Sequence, residues 1–424
     1  MRKLKGSQGP IRASIALPGS KSISHRVLVC SALSQGRSRL WNLLESEDTM
    51  YTRMALEKWG IKMAERQRGL EVEGSGGKIG PWRGEKRIYL GNSGTSMRLL
   101  LSISTLAKGT TLLDGTQRMR SRPVGELAQA LTELGAELSF PYSHGYPPIL
   151  VKGSGLIGGE AKLSGSGSSQ FISSLLLSAP YCRKDVEINV DLHPVSAPYV
   201  DLTIGIMACF GVRVERIDFT HFFVAAHQSY QSIEFHVEGD VSSASYFWAA
   251  AAVTGGEVTT GPLDPSGTMQ GDIRFLEILE EAGCKVERGS GEVCVKGKAW
   301  KSLELDMADI PDMVPTMAAI ALFLEGTTVI RNVAHLRIKE SDRLRAIFTE
   351  WRKLGARVEE LPDGLVIHGG KRLCGALLDP HNDHRLAMSM AVIGLNVPGI
   401  TVTNSQCVEK SFPGFWPLWD QITS

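Results

Sequence analysis

No apolar run in this 424-residue sequence approaches the roughly 18 residues of a membrane span; stretches such as "FWAAAAV" stop far short. An excess of charge of one sign is also missing. Lys and Arg number 46 against 45 Asp and Glu, a net charge of +1. That argues against a nucleic-acid binder with a wholly basic surface, but leaves room for a local basic pocket. The seven cysteines form no Cys-x-x-Cys pair and are odd in number. A zinc site and a disulfide framework are both disfavoured, and a reducing cytoplasm fits best. The start, "MRKLKGSQGPIRASIALPG", is basic but has no continuous apolar core and no small-residue cleavage site, so no signal peptide is expected.

What is present is a repeat. An amphipathic helical pattern ends in Gly and a strand pattern follows: "KWGIKM", "ELGAEL", "CFGVRV", "EAGCKV", "KLGARV". The glycines, Gly60, Gly135, Gly211, Gly283 and Gly355, are 75, 76, 72 and 72 residues apart. Glycine closes a helix in the left-handed conformation without a Cβ clash. A second element recurs out of phase, a small polar start leading into an apolar helix. Its copies begin at Ser20, Asn92, Gly167, Ser242, Pro311 and Asn382, in steps of 72, 75, 75, 69 and 71. Helices apolar nearly all round belong in a core. The sequence therefore predicts six units of strands and two helices, the last without its Gly cap. Their buried helices favour two globular domains of three units over a solenoid. The expected division is 21–238 and 239–424, with residues 1–20 lending a strand to the second domain.

The chemistry gathers at the helix starts. "PGSKSISHR" (18–26) has the residues of a nucleotide phosphate loop in the wrong order. Short polar residues there serve as N-caps. Cations do not, because they oppose the helix dipole. Lys21, Arg26, Arg98 and Arg385 at or near helix starts therefore point to a polyanionic ligand held at helix N-termini. Arg122 precedes a helix opening with Pro123, and "RIKESDRL" packs Lys339, Glu340, Asp342 and Arg343 before another. Each has a plainer reading: a solvated charge run, a cap for Asp312, a packed histidine for His384. One motif is discounted. "GSGLIG" (153–158) matches Gly-x-Gly-x-x-Gly, but no helix opens at its third glycine, so a dinucleotide cofactor is not expected.

Taken together, "PGSKSISHR", "GNSGTSMR", "SRPVG", "GSSQF", "SAPYVDLT", "EGDVSSASYF", "IPDMVPT", "RIKESDRL", "NDHRLAM" and "KSFPGF" occur in this order across nearly the whole chain. The sequence closely resembles the 3-phosphoshikimate 1-carboxyvinyltransferase (EPSP synthase) family. The resemblance implies an α/β fold of two similar domains, each of three βαβαββ units, closing over a cleft. It implies transfer of the enolpyruvyl group of phosphoenolpyruvate (PEP) to the 5-hydroxyl of shikimate 3-phosphate, with release of phosphate. It also implies a monomer with no cofactor and no metal, working in aromatic amino-acid biosynthesis, without nucleic-acid or membrane partners.

By the same resemblance, Lys21 and Gln170 would touch both substrates. Ser22, Arg26, Ser168, Ser169, Ser196, Asp312, Lys339 and His335 would hold shikimate 3-phosphate. Asn92, Gly94, Arg122, Arg343, Arg385 and Lys410 would surround PEP. Asp312 would accept the hydroxyl proton, Glu340 would act as acid and base at the PEP methylene, and His384 would lie beside it. The residue types suit that chemistry. Two substrates carrying phosphate and carboxylate need Lys and Arg to offset their repulsion, and carboxylates to move protons. Glu340, between Lys339 and Arg343, is expected to be ionised without ligand. His335 stands where many members carry asparagine, and Leu99 where many carry proline. Gly94 leaves room for PEP-like inhibitors such as glyphosate. The UDP-N-acetylglucosamine enolpyruvyl transferases share fold and donor but usually carry a reactive cysteine just before "RPVG"; "DGTQRMRSRPVG" has none. A non-catalytic anion-binding protein is the remaining alternative, and Lys21, Asp312 and Glu340 argue against it.

Overall fold

The computed structural model describes residues 1–67 and 69–423. Residues 85–153 show the repeat in full. Strand Glu85–Tyr89 leads into helix Gly94–Leu106 and strand Gly109–Asp114, then helix Gly125–Glu133 and strands Glu137–Ser139 and Ile149–Gly153. The first two strands pair in parallel, which requires a crossover, and the inner helix supplies it. The last two return antiparallel, giving the spatial order first, second, fourth, third. The inner helix is buried along nearly its whole length, as its all-round apolar pattern demands. Five four-stranded sheets with this order occur among the described residues.

Two of those sheets take their first strand from a distant part of the chain. Arg12–Ala16 pairs in parallel with Glu257–Gly261, and Glu234–His236 pairs in parallel with Arg37–Trp41. Packing accordingly divides the chain into Met1–Pro18 with Glu238–Ser424, and Gly19–Val237. The sixth repeat departs from the others. Leu377–Leu378 and Thr401–Val402 flank the inner helix His384–Gly394, but the third strand is Arg2–Lys3, antiparallel to Thr401–Val402. The N-terminal segment thus lends two strands where the sequence suggested one. In place of a hairpin the repeat ends in helix Phe415–Ile422, whose Phe415 and Trp419 pack on Phe247 of the inner helix Val241–Thr254.

The five repeated glycines all adopt positive φ, from 81° at Gly211 to 111° at Gly283, and each is followed by a strand. The segment 153–158 runs from strand Ile149–Gly153 to strand Gly159–Leu163 with no helix between.

Candidate functional site

In the unit Gly19–Val237 the inner helices Lys21–Leu33, Gly94–Leu106 and Ser169–Ser178 carry the polar residues at their starts. Arg26 is 1% exposed. Its guanidinium donates to Thr203 Oγ1 (2.7 Å), the Ser22 carbonyl (2.9 Å), the Tyr199 carbonyl (3.1 Å) and Ser173 Oγ (3.3 Å). Those partners are neutral, and no carboxylate among the described residues pairs with it. Burial lowers its pKa to about 10, so it keeps its charge at neutral pH. A buried cation held only by dipoles favours an anion nearby. Ser168 caps helix Ser169–Ser178 by accepting from the Gln170 amide, and Ser169 is buried beside it. The buried Ser196 hydroxyl, three residues before Tyr199, has no hydrogen-bond partner among the described residues.

Lys21 opens its helix with Nζ 3.3 Å from Asp48 Oδ2. The Asp48 carbonyl accepts from Ser96 Oγ, which also bonds Ser93, the N-cap of helix Gly94–Leu106. Arg122, 3% exposed, donates to the Asn92 carbonyl at 3.1 Å. Gln170 Nε2 donates to Thr95 Oγ1 at 3.0 Å. A Cβ on Gly94 would lie 2.3 Å from Arg122 Nη2 and 2.6 Å from Arg98 Nη1, so glycine there lets two guanidinium groups reach the helix start. Lys21, Asn92, Gly94, Arg122 and Gln170 thus share one network of short links.

In the unit of Met1–Pro18 and Glu238–Ser424 the cations are paired with acids. Arg343, 1% exposed, donates to Asp383 Oδ2 (2.8 Å), Asp312 Oδ1 (2.9 Å) and Glu340 Oε2 (3.0 Å). Those three carboxylates hold its charge firmly, against the desolvation of its burial. Arg385 Nη2 lies 2.5 Å from Asp312 Oδ2, so both Asp312 oxygens are taken by arginines. Lys410 Nζ lies 3.7 Å from Glu340 Oε1. Asp383 is fully buried, caps helix His384–Gly394 through the Arg385 amide and accepts from Ser341. His384 is buried next to it, Nδ1 4.0 Å from Asp383 Oδ1. His335 is 7% exposed, its Nε2 has no hydrogen-bond partner among the described residues, and its pKa falls to about 3. Burial is the main cause; Lys339 and Arg343 add to it and Asp312 opposes it.

A family model described as EPSP synthase (3-phosphoshikimate 1-carboxyvinyltransferase) matches residues 6–419. The chain belongs to the EPSP synthase family. It is 42% identical over 419 residues to the 3-phosphoshikimate 1-carboxyvinyltransferase of Sulfurovum sp. (strain NBC37-1), covering 98% of this chain and 97% of the relative. It is 44% identical to that of Methanoculleus marisnigri, covering 96% of each. An EPSP synthase structure from Acinetobacter baumannii superimposes with a TM-score of 0.80 at 26% identity, over 99% of this chain and 97% of that one.

Within this EPSP synthase family chain, each unit places acids beside the residues described above that sequence reasoning passed over. Asp48 had no signal beyond an acidic residue at a helix start. Asp383 stood inside the quoted "NDHR" and has the N-cap position, but its ion pair to Arg343 spans 40 residues. Asp272 is 3% exposed and accepts from Ser242 Oγ; its carboxyl is pushed up to about 6 by burial and by Asp312, with Arg385 opposing. Glu340 was expected between Lys339 and Arg343; it pairs with Arg343 and lies 3.7 Å from Lys410.

Proposed function

We propose that this protein transfers the enolpyruvyl group of PEP to the 5-hydroxyl of shikimate 3-phosphate by addition and elimination, releasing phosphate. One observation carries the reading beyond family membership. Asp312, the pair Glu340 and Arg343, and Arg385, from three segments of the chain, converge in one network of acids and guanidinium groups around the buried Arg343. Acids for proton transfer and cations for anionic substrates are what the reaction needs together.

In this reading Ser22, Arg26, Ser168, Ser169, Ser196, His335 and Lys339 hold shikimate 3-phosphate. Asn92, Gly94, Arg122, Arg343, Arg385 and Lys410 hold PEP, and Lys21 and Gln170 touch both. Asp312 takes the proton of the 5-hydroxyl as its oxygen bonds to C2 of PEP, and Glu340 delivers a proton to C3. The product is a tetrahedral ketal. Glu340 then takes a C3 proton, the C2–O bond to phosphate breaks, and the enol ether remains. Cations around the leaving phosphate lower that barrier, and His384 lies near the reacting group. Arg26, with four of its five N–H groups bound to protein, has one left for a ligand.

The test is phosphate release from PEP. Release with shikimate 3-phosphate present, and none with PEP alone or with UDP-N-acetylglucosamine, is the expected result; no release with both substrates overturns the reading. Asp312→Asn should lower kcat by about a hundredfold or more, as loss of a general base does. Among the described residues no helix is long and apolar enough to cross a membrane. A monomer in the cytoplasm is the working form we propose, checked by light scattering that returns the mass of one chain.

A further inference from the structure

Glu350 lies on the helix Arg343–Lys353, two turns after Arg343 and on the same buried face. It is 1% exposed, and no step of the proposed reaction uses it. Its carboxylate is nonetheless well occupied. Lys353 Nζ donates to both oxygens, at 2.8 and 2.7 Å. The Asp379 amide donates at 2.9 Å and His381 Nε2 at 3.1 Å. Lys353 belongs to the same helix, but the other two donors come from 29 and 31 residues away. Burial alone would raise this carboxyl; His381, Lys353 and the Asp379 amide hold it below its ordinary value. It is therefore ionised at neutral pH, and the imidazole is the donor.

What Glu350 grips is the turn that opens helix His384–Gly394. The Asp383 amide closes the turn on the Pro380 carbonyl at 2.9 Å. Both central residues have positive φ, 52° at His381 and 56° at Asn382. Side chains rarely adopt that conformation, and two in succession persist only where the surroundings hold them. Asp379 Oδ1 accepts from the His381 amide at 2.8 Å, and Asn382 Oδ1 accepts from Asn404 Nδ2 at 2.9 Å. Glu350 is the charged anchor. Directly after the turn come Asp383, which pairs with Arg343, and Arg385, which pairs with Asp312. One buried acid thus ties the helix that begins at Arg343 to the turn that sets Asp383 and Arg385.

We propose that Glu350, through His381 and the Asp379 amide, is a positioning residue that holds the turn 379–382 and so sets Asp383 and Arg385 for PEP. The inference rests on the proposed function, which assigns Arg343 and Arg385 to PEP. The held turn is the competent one. Without the clamp it is one conformation among several, and the apparent affinity for PEP falls by the competent fraction. Saturating PEP draws the population back, so kcat survives. His381 adds a pH dependence. The charged groups acting on it are Glu350 and Lys353 of the helix and Asp379 of its own turn; Asn404, from the neighbouring segment, is neutral. Glu350 raises the imidazole's pKa and burial opposes it. His381 is charged below that raised value and neutral above it, so the clamp is tighter on the acid side.

The experiment measures steady-state kinetics, thermal unfolding and substrate-free hydrogen exchange of the full-length protein, wild type, Glu350→Gln and His381→Asn. Glutamine keeps an acceptor for the Asp379 amide but removes the charge. Asparagine tolerates positive φ but removes the imidazole. Glu350→Gln should raise KM for PEP about tenfold, as when a hydrogen-bonded charge is lost. KM for shikimate 3-phosphate and kcat should stay within about twofold. His381→Asn should raise KM for PEP about fivefold near pH 6, and its ratio to wild type should shrink toward about pH 9, since a charged donor outweighs a neutral one. Exchange should quicken at the amides of 379–383 in both variants. A purely structural role would lower the unfolding temperature and the active fraction, and with it kcat, while leaving KM alone. That result overturns the inference, as does a Glu350→Gln KM for PEP equal to wild type, or an equal rise for both substrates. If Glu350→Gln fails to fold, His381→Asn carries the test at a half-exposed position, and a ratio independent of pH overturns it. A wild type without phosphate release defeats the functional reading; unaltered exchange at 379–383 defeats the clamp.

Discussion

At the scale of single residues the buried arginines are held in two ways. Arg26 is wrapped in neutral acceptors, whereas Arg343 and Arg385 are gripped by carboxylates. Gly94 is the candidate site residue whose small size the structure uses. A methyl group there would sit 2.3 Å from Arg122 Nη2, so the guanidinium must move. Gly94→Ala should raise KM for PEP on the order of tenfold to a hundredfold, the usual cost of a displaced positioning group. Wild type should be inhibited by glyphosate below the millimolar range, and the variant should need more. Steady-state inhibition curves with the same midpoint for both proteins would refute this. His335 makes a second prediction. Its ordinary pKa of 6.5 falls to about 3 in the fold, so between those values the unfolded chain binds a proton that the native state does not. Stability therefore drops as pH falls below about 6.5, by ~1.4 kcal/mol per unit and about 2 kcal/mol by pH 5. His335→Asn removes that term. Urea unfolding at about pH 7.5 and pH 5 should show the smaller loss in the variant; equal losses would sink the idea.

At the scale of elements, the repeat works because one helix of each pair is buried and the other is capped to turn into a strand. Gly60 isolates that cap. Its φ is 103°, and a Cβ would meet nothing within 4 Å, so the only cost of alanine is backbone strain. Gly60→Ala should destabilise by about 1–2 kcal/mol, seen as a lower urea midpoint with kcat and KM unchanged. An unaltered midpoint would mean that the cap relaxes freely. The N-caps do two jobs in places. Asp383 satisfies the Arg385 amide and pairs with Arg343, so a helix start and an ion network share one carboxylate. That sharing fixes where Arg343 sits relative to the helix, which a surface ion pair would not do.

At the scale of the whole molecule, the N-terminal segment supplies strands to two sheets of the unit that ends the chain. Arg12–Ala16 completes the sheet of Glu257–Gly261, and Arg2–Lys3 completes that of Thr401–Val402. Ile15 is 5% exposed within this arrangement. Ile15→Ala should cost about 2–5 kcal/mol, as for a buried aliphatic truncation. Hydrogen exchange should quicken in the strands 257–261 and 292–296, while the strands of 19–237 keep their protection. Uniform loss of protection across both ranges would contradict the division at residues 18 and 237.

Local order was legible in the sequence alone. Glycine caps, buried apolar helices and polar helix starts depend on residues within one or two turns, and the five caps and six inner helices keep their spacing in the fold. The quoted motifs were enough to mark the family. Helix boundaries moved by a residue or two: Ser93, Ser168 and Asp383 are the caps, where Asn92, Gly167 and Asn382 began the patterns. Partner choice was not legible. Arg26 meets Thr203 across 177 residues, Arg385 meets Asp312 across 73, and Asp272 joins the same charges with no sequence mark. The strand lent by residues 1–20 to the later domain was legible from the repeat, but not its partner Glu257–Gly261, nor the second strand Arg2–Lys3. Residue type and spacing determine what each segment forms and which charges it carries. Which charge faces which, and how far burial shifts it, depends on desolvation and on contacts between distant segments, and those exist only once the chain has folded.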